Sequence, residues 1–247
     1  MRRAALLLPL ALAVSACGSS GRDVLRDASA NVGKIRSGTL HAKLLVQPHV
    51  VGANDPFGFT IDGPFRFGDR PTANVTYVQI ANGLRGSGRV VLDENGGYVV
   101  SNGQRRTLVG GQLDDLRRTM RAVRAGGSIV DVSDWVKSSH SADCPPADAP
   151  VKCVEGDLDP VATIDGLAGL AQLTGTSGLA DADAETLRKA VSKATYFVMA
   201  GKDDQLLRDL EIDLELSPDV PESLKGALGK LVGADMTFEL AVKRPRS

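Results

Sequence analysis

The chain has 247 residues, with 29 Lys and Arg against 30 Asp and Glu and a formal net charge of −1. That balance excludes a nucleic-acid partner held by general electrostatics. Aromatic residues make up only 4% and glycines number 27, which suits short strands, tight turns and many small side chains. Beyond the N-terminus no apolar run is long enough for a transmembrane helix, which needs about 20 residues.

Met1-Arg2-Arg3 is a charged leader, and Ala4 to Val14 is an apolar stretch. As a helix that stretch would reach about 16 Å at roughly 1.5 Å per residue, against a hydrocarbon core of about 30 Å, so it cannot span as a permanent anchor. It reads as the h-region of an export signal. Val14-Ser15-Ala16-Cys17 resembles the bacterial lipobox. Small residues before the cysteine let the chain lie extended in a peptidase cleft, and a thiol can be alkylated where a serine would not be. The resemblance implies diacylglyceryl transfer to Cys17 and cleavage after Ala16. Gly18-Ser19-Ser20-Gly21 follows as a flexible tether. Each buried methylene contributes about 0.8 kcal/mol, so two or three acyl chains hold firmly where one holds marginally. The alternative is an ordinary secretory peptide with a chance cysteine.

Along the mature chain, Leu25, Ala28, Val32 and Ile35 recur at helical spacing between Asp23 and Arg36, and Gly38 follows as a stop. Period-two segments come next: Leu40, Ala42, Leu44 and Val46; Phe57, Phe59 and Ile61; then Phe65 and Phe67. Thr72 to Ile80, Arg85 to Asp93, Gly97 to Ser101 and Arg105 to Val109 continue them, with connections too short for parallel crossovers. Gln112 to Arg124 then reads as an amphipathic helix. It places Leu113, Leu116, Met120 and Val123 on one face, turns Arg117, Arg118, Arg121 and Arg124 away, and carries Asp114 and Asp115 at its N-terminal end. That arginine face is a solvated surface or a contact for anionic headgroups. Asp131 to Lys137 reads as a short helical turn with Trp135. Val154 to Leu158 reads as a strand, Val161 to Leu173 as an apolar helix with Ile164, Leu167 and Leu170 on it, and Asp181 to Lys193 as a further helix. Thr195 to Ala200 and Leu206 to Leu216 form a hairpin across Gly201-Lys202-Asp203-Asp204, and the last strand holds Met236, Phe238, Leu240 and Val242. Strict alternation of Leu210, Ile212, Leu214 and Leu216 with Glu211, Asp213 and Glu215 predicts one buried and one wet face. Strands, then helices, then strands imply an α+β domain with helices over one face of an antiparallel sheet.

Signs of catalysis are sparse. His41, His49 and His140 sit in no recognisable motif and read as surface or structural residues. Gly83-Leu84-Arg85-Gly86-Ser87-Gly88 has the wrong glycine spacing for a phosphate loop and reads as a hairpin turn. Cys144 and Cys153 bracket a proline-rich loop, and outside the cell a disulfide is the default. In the chain-entropy model it stabilises by about 3 kcal/mol or a little less. A metal site from His140, Asp143 and both cysteines is the alternative, at a spacing that fits no zinc pattern. The apolar faces form either an ordinary core or, held apart by a curved sheet, the lining of a pocket for acyl chains.

The order of parts resembles the LppX/LprAFG lipoproteins of actinobacteria. The residues that carry the resemblance are the lipobox, Gly38-Thr39, Gly63-Pro64-Phe65, Gly97-Tyr98-Val99-Val100, Ser133-Asp134-Trp135-Val136, Val154 to Leu158 running on to Leu167, and the hairpin from Thr195-Tyr196-Phe197-Val198 through Leu206 to Leu210. The resemblance implies a curved antiparallel half-barrel covered on its concave face by helices, similar to the LolA/LolB carriers. It also implies a non-enzymatic role: binding an acylated lipid or glycolipid in an apolar cavity and moving it through the cell envelope, without a cofactor. The cysteine loop, the glycine-rich fourth strand and the Ser217 to Gly233 segment depart from that pattern. The expected organisation is a signal peptide and lipidated cysteine over 1–17, a tether over 18–22, one domain over 23–243 and a tail over 244–247. The domain is expected to be a monomer on the outer face of the cell membrane, with an envelope transporter as a partner. Cavity positions expected from facing alone are Leu44, Phe59, Leu113, Leu116, Met120, Ile164, Leu167 and Leu170. The rival readings are an envelope interaction module with a solid core and no ligand, and a hydrolase of unrecognised site. Cys17→Ser is expected to abolish incorporation of labelled palmitate in a bacterial host and to leave the uncleaved precursor, read by autoradiography and mass.

Overall fold

The computed structural model describes residues 21–49, 55–81, 83–124, 132–170, 185, 188–220 and 232–247. The expected signal peptide, Cys17, Leu173 and the expected helix start at Asp181 lie outside them.

Eleven strands form one antiparallel sheet. They are β1 (Ser37–Pro48), β2 (Phe57–Arg66), β3 (Thr72–Ala81), β4 (Leu84–Leu92), β5 (Gly97–Ser101), β6 (Gln104–Thr107), β7 (His140–Ser141), β8 (Val151–Asp157), β9 (Val191–Gly201), β10 (Leu207–Leu216) and β11 (Ala234–Arg246). Their order is β6-β5-β4-β3-β2-β1-β11-β10-β9-β8-β7, so β6 and β7 are free edges and the sheet is not closed. Consecutive strands pair as meanders on both sides, and the last strand, β11, lies against the first. Helices α1 (Gly21–Asn31), α2 (Gly111–Arg124) and α3 (Pro160–Leu170) accompany the sheet, and Glu185 and residues 188–190, within the expected helix from Asp181, are helical just before β9. This is the expected α+β antiparallel architecture. Among the described residues no helix is long and apolar enough to cross a membrane.

In an antiparallel ladder, paired residues share a face. Leu44 pairs with Phe238 and Phe59, and Phe238 with Ile212. These residues, with Leu40, Ala42, Val46, Leu210, Leu214 and Leu240, look inward on one cluster. Helix α1 adds Val24, Leu25 and Ala28 to that cluster, α3 adds Ile164, and the 310 turn Ser133–Trp135 adds Trp135. The ring of Trp135 occupies the space where a side chain at Gly166 would stand, so only glycine lets α3 approach this closely. Asp159 caps α3, its Oδ1 accepting from the amides of Val161 at 3.0 Å and Ala162 at 3.1 Å. Cys144 and Cys153 form a disulfide with a Cα–Cα separation of 5.4 Å, which takes both thiols from the alternative metal set.

Several expectations need correction. Helix α1 begins at Gly21, so two residues of the expected tether are helical, and it ends at Asn31 with a 310 turn over Val32–Lys34. Residues 57–66 form one strand, where two short ones are expected. Leu84 to Gly88 are strand rather than turn, because they pair with Tyr77 to Ala81, and only Gly83 takes a turn conformation, at φ 72°. The strand expected from Val154 starts at Val151 and gains an unforeseen partner in β7. Val191 to Lys193, expected in a helix, belong to β9, because pairing with Glu215 and Leu216 overrides their local preference. Arg244 to Arg246, expected in a tail, extend β11, and Arg246 pairs with Ser37.

Ile212 is wholly buried at the centre of β10. Ile212→Ala is expected to destabilise the domain by about 2–5 kcal/mol, measured by urea unfolding of the Cys17→Ser chain.

Candidate functional site

The inward face divides into two wings. On β1 and β8 to β11 it is closed, with Leu44, Val154, Val198, Ile212, Leu214 and Phe238 all buried. Across β2 to β5 the registers continue the same rows. Leu40, Gly63, Val75, Val90 and Val99 share one row, and Ala42, Ile61, Tyr77, Gly88 and Ser101 the next. Of the apolar members of this second wing, Phe57, Phe59, Ile61, Val75, Tyr77, Val90 and Val99 are half-buried, Leu84 at one end of β4 is exposed, and Leu92 at the other end is buried. The glycines of β4 increase the room. The row of Leu44, Phe59 and Gln79 ends at Gly86, and a side chain there would meet nothing within 4 Å. The Tyr77 ring lies over Gly88.

The cavity positions expected from sequence fall as follows. Leu44 and Phe59 are cross-strand neighbours on the inward face, and Ile164 joins the same cluster. Leu44 and Ile164 are buried in the packed wing, whereas Phe59 stands at the boundary between the wings. Leu113, Leu116 and Met120 share one side of α2 at helical spacing, and each is half-buried. Helix α2 lies against the Val32–Lys34 turn. Its Arg117 Nη2 donates to the carbonyls of Asp93 at 3.2 Å and Glu94 at 3.0 Å, so this arginine fastens the helix to the β4–β5 turn rather than facing solvent. Arg118 pairs with Asp115 at 2.9 Å. Leu167 and Leu170 lie on α3, and their side chains are outside the described residues. Sequence reading passed over Tyr77, Val75, Val90 and Val99 as site residues. Their alternation was the available signal, but it did not tell a half-covered face from a closed one.

The outward face is polar. Each histidine meets a carboxylate there: His41 with Asp62 and Glu239, His49 with Asp235 at 2.7 Å, and His140 with Glu155 at 3.1 Å. The hydrogen bond to Asp62 holds the His41 pKa above its ordinary value. Lys43, bonded to Glu239 at 2.6 Å, holds that carboxyl below its own. Among the described residues no group of three or more His, Cys, Asp or Glu is placed to hold a metal. Two clefts open on this side. One of about 330 Å³ is lined by Glu155, Asp157, Glu211 and Asp213, and one of about 640 Å³ lies between the disulfide loop and the ends of β9 to β11. The acids of the first do not suit an acyl chain, and the second mixes Asp148, Arg208, Asp209, Lys243 and Arg244 with apolar side chains. The half-covered inward face of the β2 to β5 wing presents its apolar side chains in continuous rows.

Asp209 lines the larger cleft. Burial, and then the charge of Glu211, raise its pKa to about 6. A carboxyl that binds its proton more tightly when folded favours the native state below the unfolded value near 3.8. That contribution is lost as pH rises through about 6. Asp209→Asn is therefore expected to raise the urea midpoint near pH 7 and leave it almost unchanged near pH 4. The gain is roughly 1 kcal/mol after allowing for solvent screening.

Neither the protein-family models nor the sequences of curated proteins match this chain. Among solved structures it is similar to LprF from Mycobacterium bovis, at 12% identity over 93% of this chain and 97% of that one, with a TM-score of 0.43. It is also similar to the Mycobacterium tuberculosis lipoprotein LppX, at 12% identity over 91% and 97%, with a TM-score of 0.42. At that identity the likeness concerns the fold alone.

Proposed function

We propose that this protein is a membrane-anchored, non-enzymatic lipoprotein that takes the acyl chains of a lipid or glycolipid onto the inward face of its sheet and carries them through the cell envelope. The observation that carries this reading is the contrast between the wings. The same rows of apolar side chains are closed over β1 and β8 to β11 and only half-covered over β2 to β5. An apolar face that its own chain leaves half-exposed is a standing cost in water, at about 25 cal/mol for each Å². Acyl chains relieve it, at about 0.8 kcal/mol for each methylene they bury. The open space above Gly86 lets such a guest lie close to the backbone. The amphipathic helix α2, with Leu113, Leu116 and Met120, supplies apolar surface of the same kind. The lipobox cysteine would keep the carrier at the extracytoplasmic face of the cell membrane, where an envelope transporter could load or unload it. The closed half favours the rival interaction module only for the wing in which it is found.

Mass spectrometry of an organic extract of the purified Cys17→Ser protein is expected to show copurified lipid, and a fluorescent fatty acid is expected to bind. Val90→Asp, which sets a charge on the half-covered face, and Gly86→Trp, which fills the space above the fourth strand, should each lower uptake about tenfold or more. Asp209→Asn, on the opposite face, should leave uptake unchanged. An empty extract together with no fatty-acid uptake would sink the proposal.

A further inference from the structure

Strands β3 to β6 contain four arginines, Arg85, Arg89, Arg105 and Arg106, and no lysine or acid. All four are exposed, and among the described residues none enters an ion pair. Arg89 Nε donates to Asn74 Oδ1 at 2.6 Å, and the Arg105 guanidinium lies 3.7 Å from the centroid of the Tyr98 ring. The acids of this wing are Asp62 on β2, bonded to His41 and in the same outward row as Arg89 two strands away, Asp93 and Glu94 in the β4–β5 turn, where Arg66 pairs with Glu94 at 2.6 Å, and Asp55 beside Gly83. The registers put Arg85, Arg89 and Arg105 on the outward face, interleaved with half-buried Val91, Val100 and Tyr98. Arg106, paired with Val99, is on the inward face at the free edge and does not join them.

Protection of an edge strand against sheet-to-sheet pairing explains cations on β6. It does not explain Arg85 and Arg89, two strands further in. The other wing is acidic on balance, with Glu155, Asp157, Asp209, Glu211, Asp213 and Glu239 on the same outward face against Lys43, Lys193 and Lys243. The sheet is thus electrically polarised along its width, although the net charge is close to zero.

We propose that the outward face of β4 to β6 docks on an anionic lipid bilayer. Guanidinium groups match phosphate oxygens in a bidentate geometry, and tyrosine beside them suits the headgroup level of a membrane. Choosing a bilayer over an acidic protein rests on the membrane-anchored reading above. Helix α1 begins at Gly21, four residues after Cys17, which keeps the domain within about 14 Å of its lipid at roughly 3.5 Å per residue. That helix packs on β8 and β9, in the acidic wing. The anchor and the arginine wing are then two points of attachment at opposite sides of the sheet. An anionic surface repels the first wing and attracts the second, and so orients the domain.

The test is co-sedimentation of the full-length Cys17→Ser chain with vesicles of phosphatidylcholine alone and of an equimolar mixture with phosphatidylglycerol. The apolar leader inserts equally in all variants, so the readout is the additional binding that phosphatidylglycerol causes. Wild type should show this increment, and raised salt should weaken it. R85E/R89E should reduce it by about tenfold or more, while R85K/R89K keeps it and so guards against misfolding as the cause. R118E/R121E on α2 should leave it intact. An increment that survives R85E/R89E, one that the α2 pair abolishes instead, or none in wild type overturns the proposal. Fatty-acid uptake on the same samples separates the two readings. A variant that loses the increment but still takes up lipid bears on docking alone, and one that keeps the increment but takes up none bears on carriage alone.

Discussion

Strand β1 is hydrogen-bonded on one side to its neighbour in sequence, β2, and on the other to the final strand, β11. That second pairing joins segments almost the whole chain apart and turns two meanders into one sheet. Its register also decides which side of every other strand looks inward. Because strand side chains alternate with a period of two, a slip of one residue at this seam would keep Phe238 and Ile212 inward only by sending Leu44 to solvent and bringing Lys43 inside. The seam resists such a slip at both levels, since the buried row and the Lys43–Glu239 ion pair at 2.6 Å on the outer side require the same register.

Once the seam is set, the two wings differ in what covers them. Helix α1, α3 and the Trp135 turn close the inward face of the C-terminal wing, and the result is an ordinary core. On β2 to β5 the same apolar pattern continues, but the coverage is partial and glycines replace side chains at positions 86 and 88. A sheet whose inward pattern is continuous, and whose cover among the described residues is not, offers the apolar rows on which the proposed guest would lie. Charge divides along the same line, with acids outside the closed wing and arginines outside the half-covered one. Loading and orientation would then occur on the same side of the molecule.

The ion pairs of the outward face hold little of this together. His49 with Asp235 and His140 with Glu155 are exposed pairs, of a kind worth less than about 1 kcal/mol. Their value lies in keeping the outward side of the C-terminal wing wet, which preserves the distinction between its faces.

Much of this was legible in the residues. Alternation along 210–216 announced one wet and one buried face, and the spacing of Leu25, Ala28 and Val32 announced an amphipathic helix. The Cys144 and Cys153 pair in its proline-rich loop announced a disulfide. These are local patterns, and period and spacing are properties of a short stretch of chain. What only the tertiary structure decided depends on partners far away in sequence. Val191 to Lys193 became strand because Glu215 and Leu216 lie beside them, and residues 244–246 became the end of β11 because β1 was there to receive them. Leu44 and Val90 obey the same alternation, yet one lies in a closed core and the other on a half-covered face. Alternation states which way a side chain points, whereas coverage depends on whether a helix from elsewhere in the chain arrives above it.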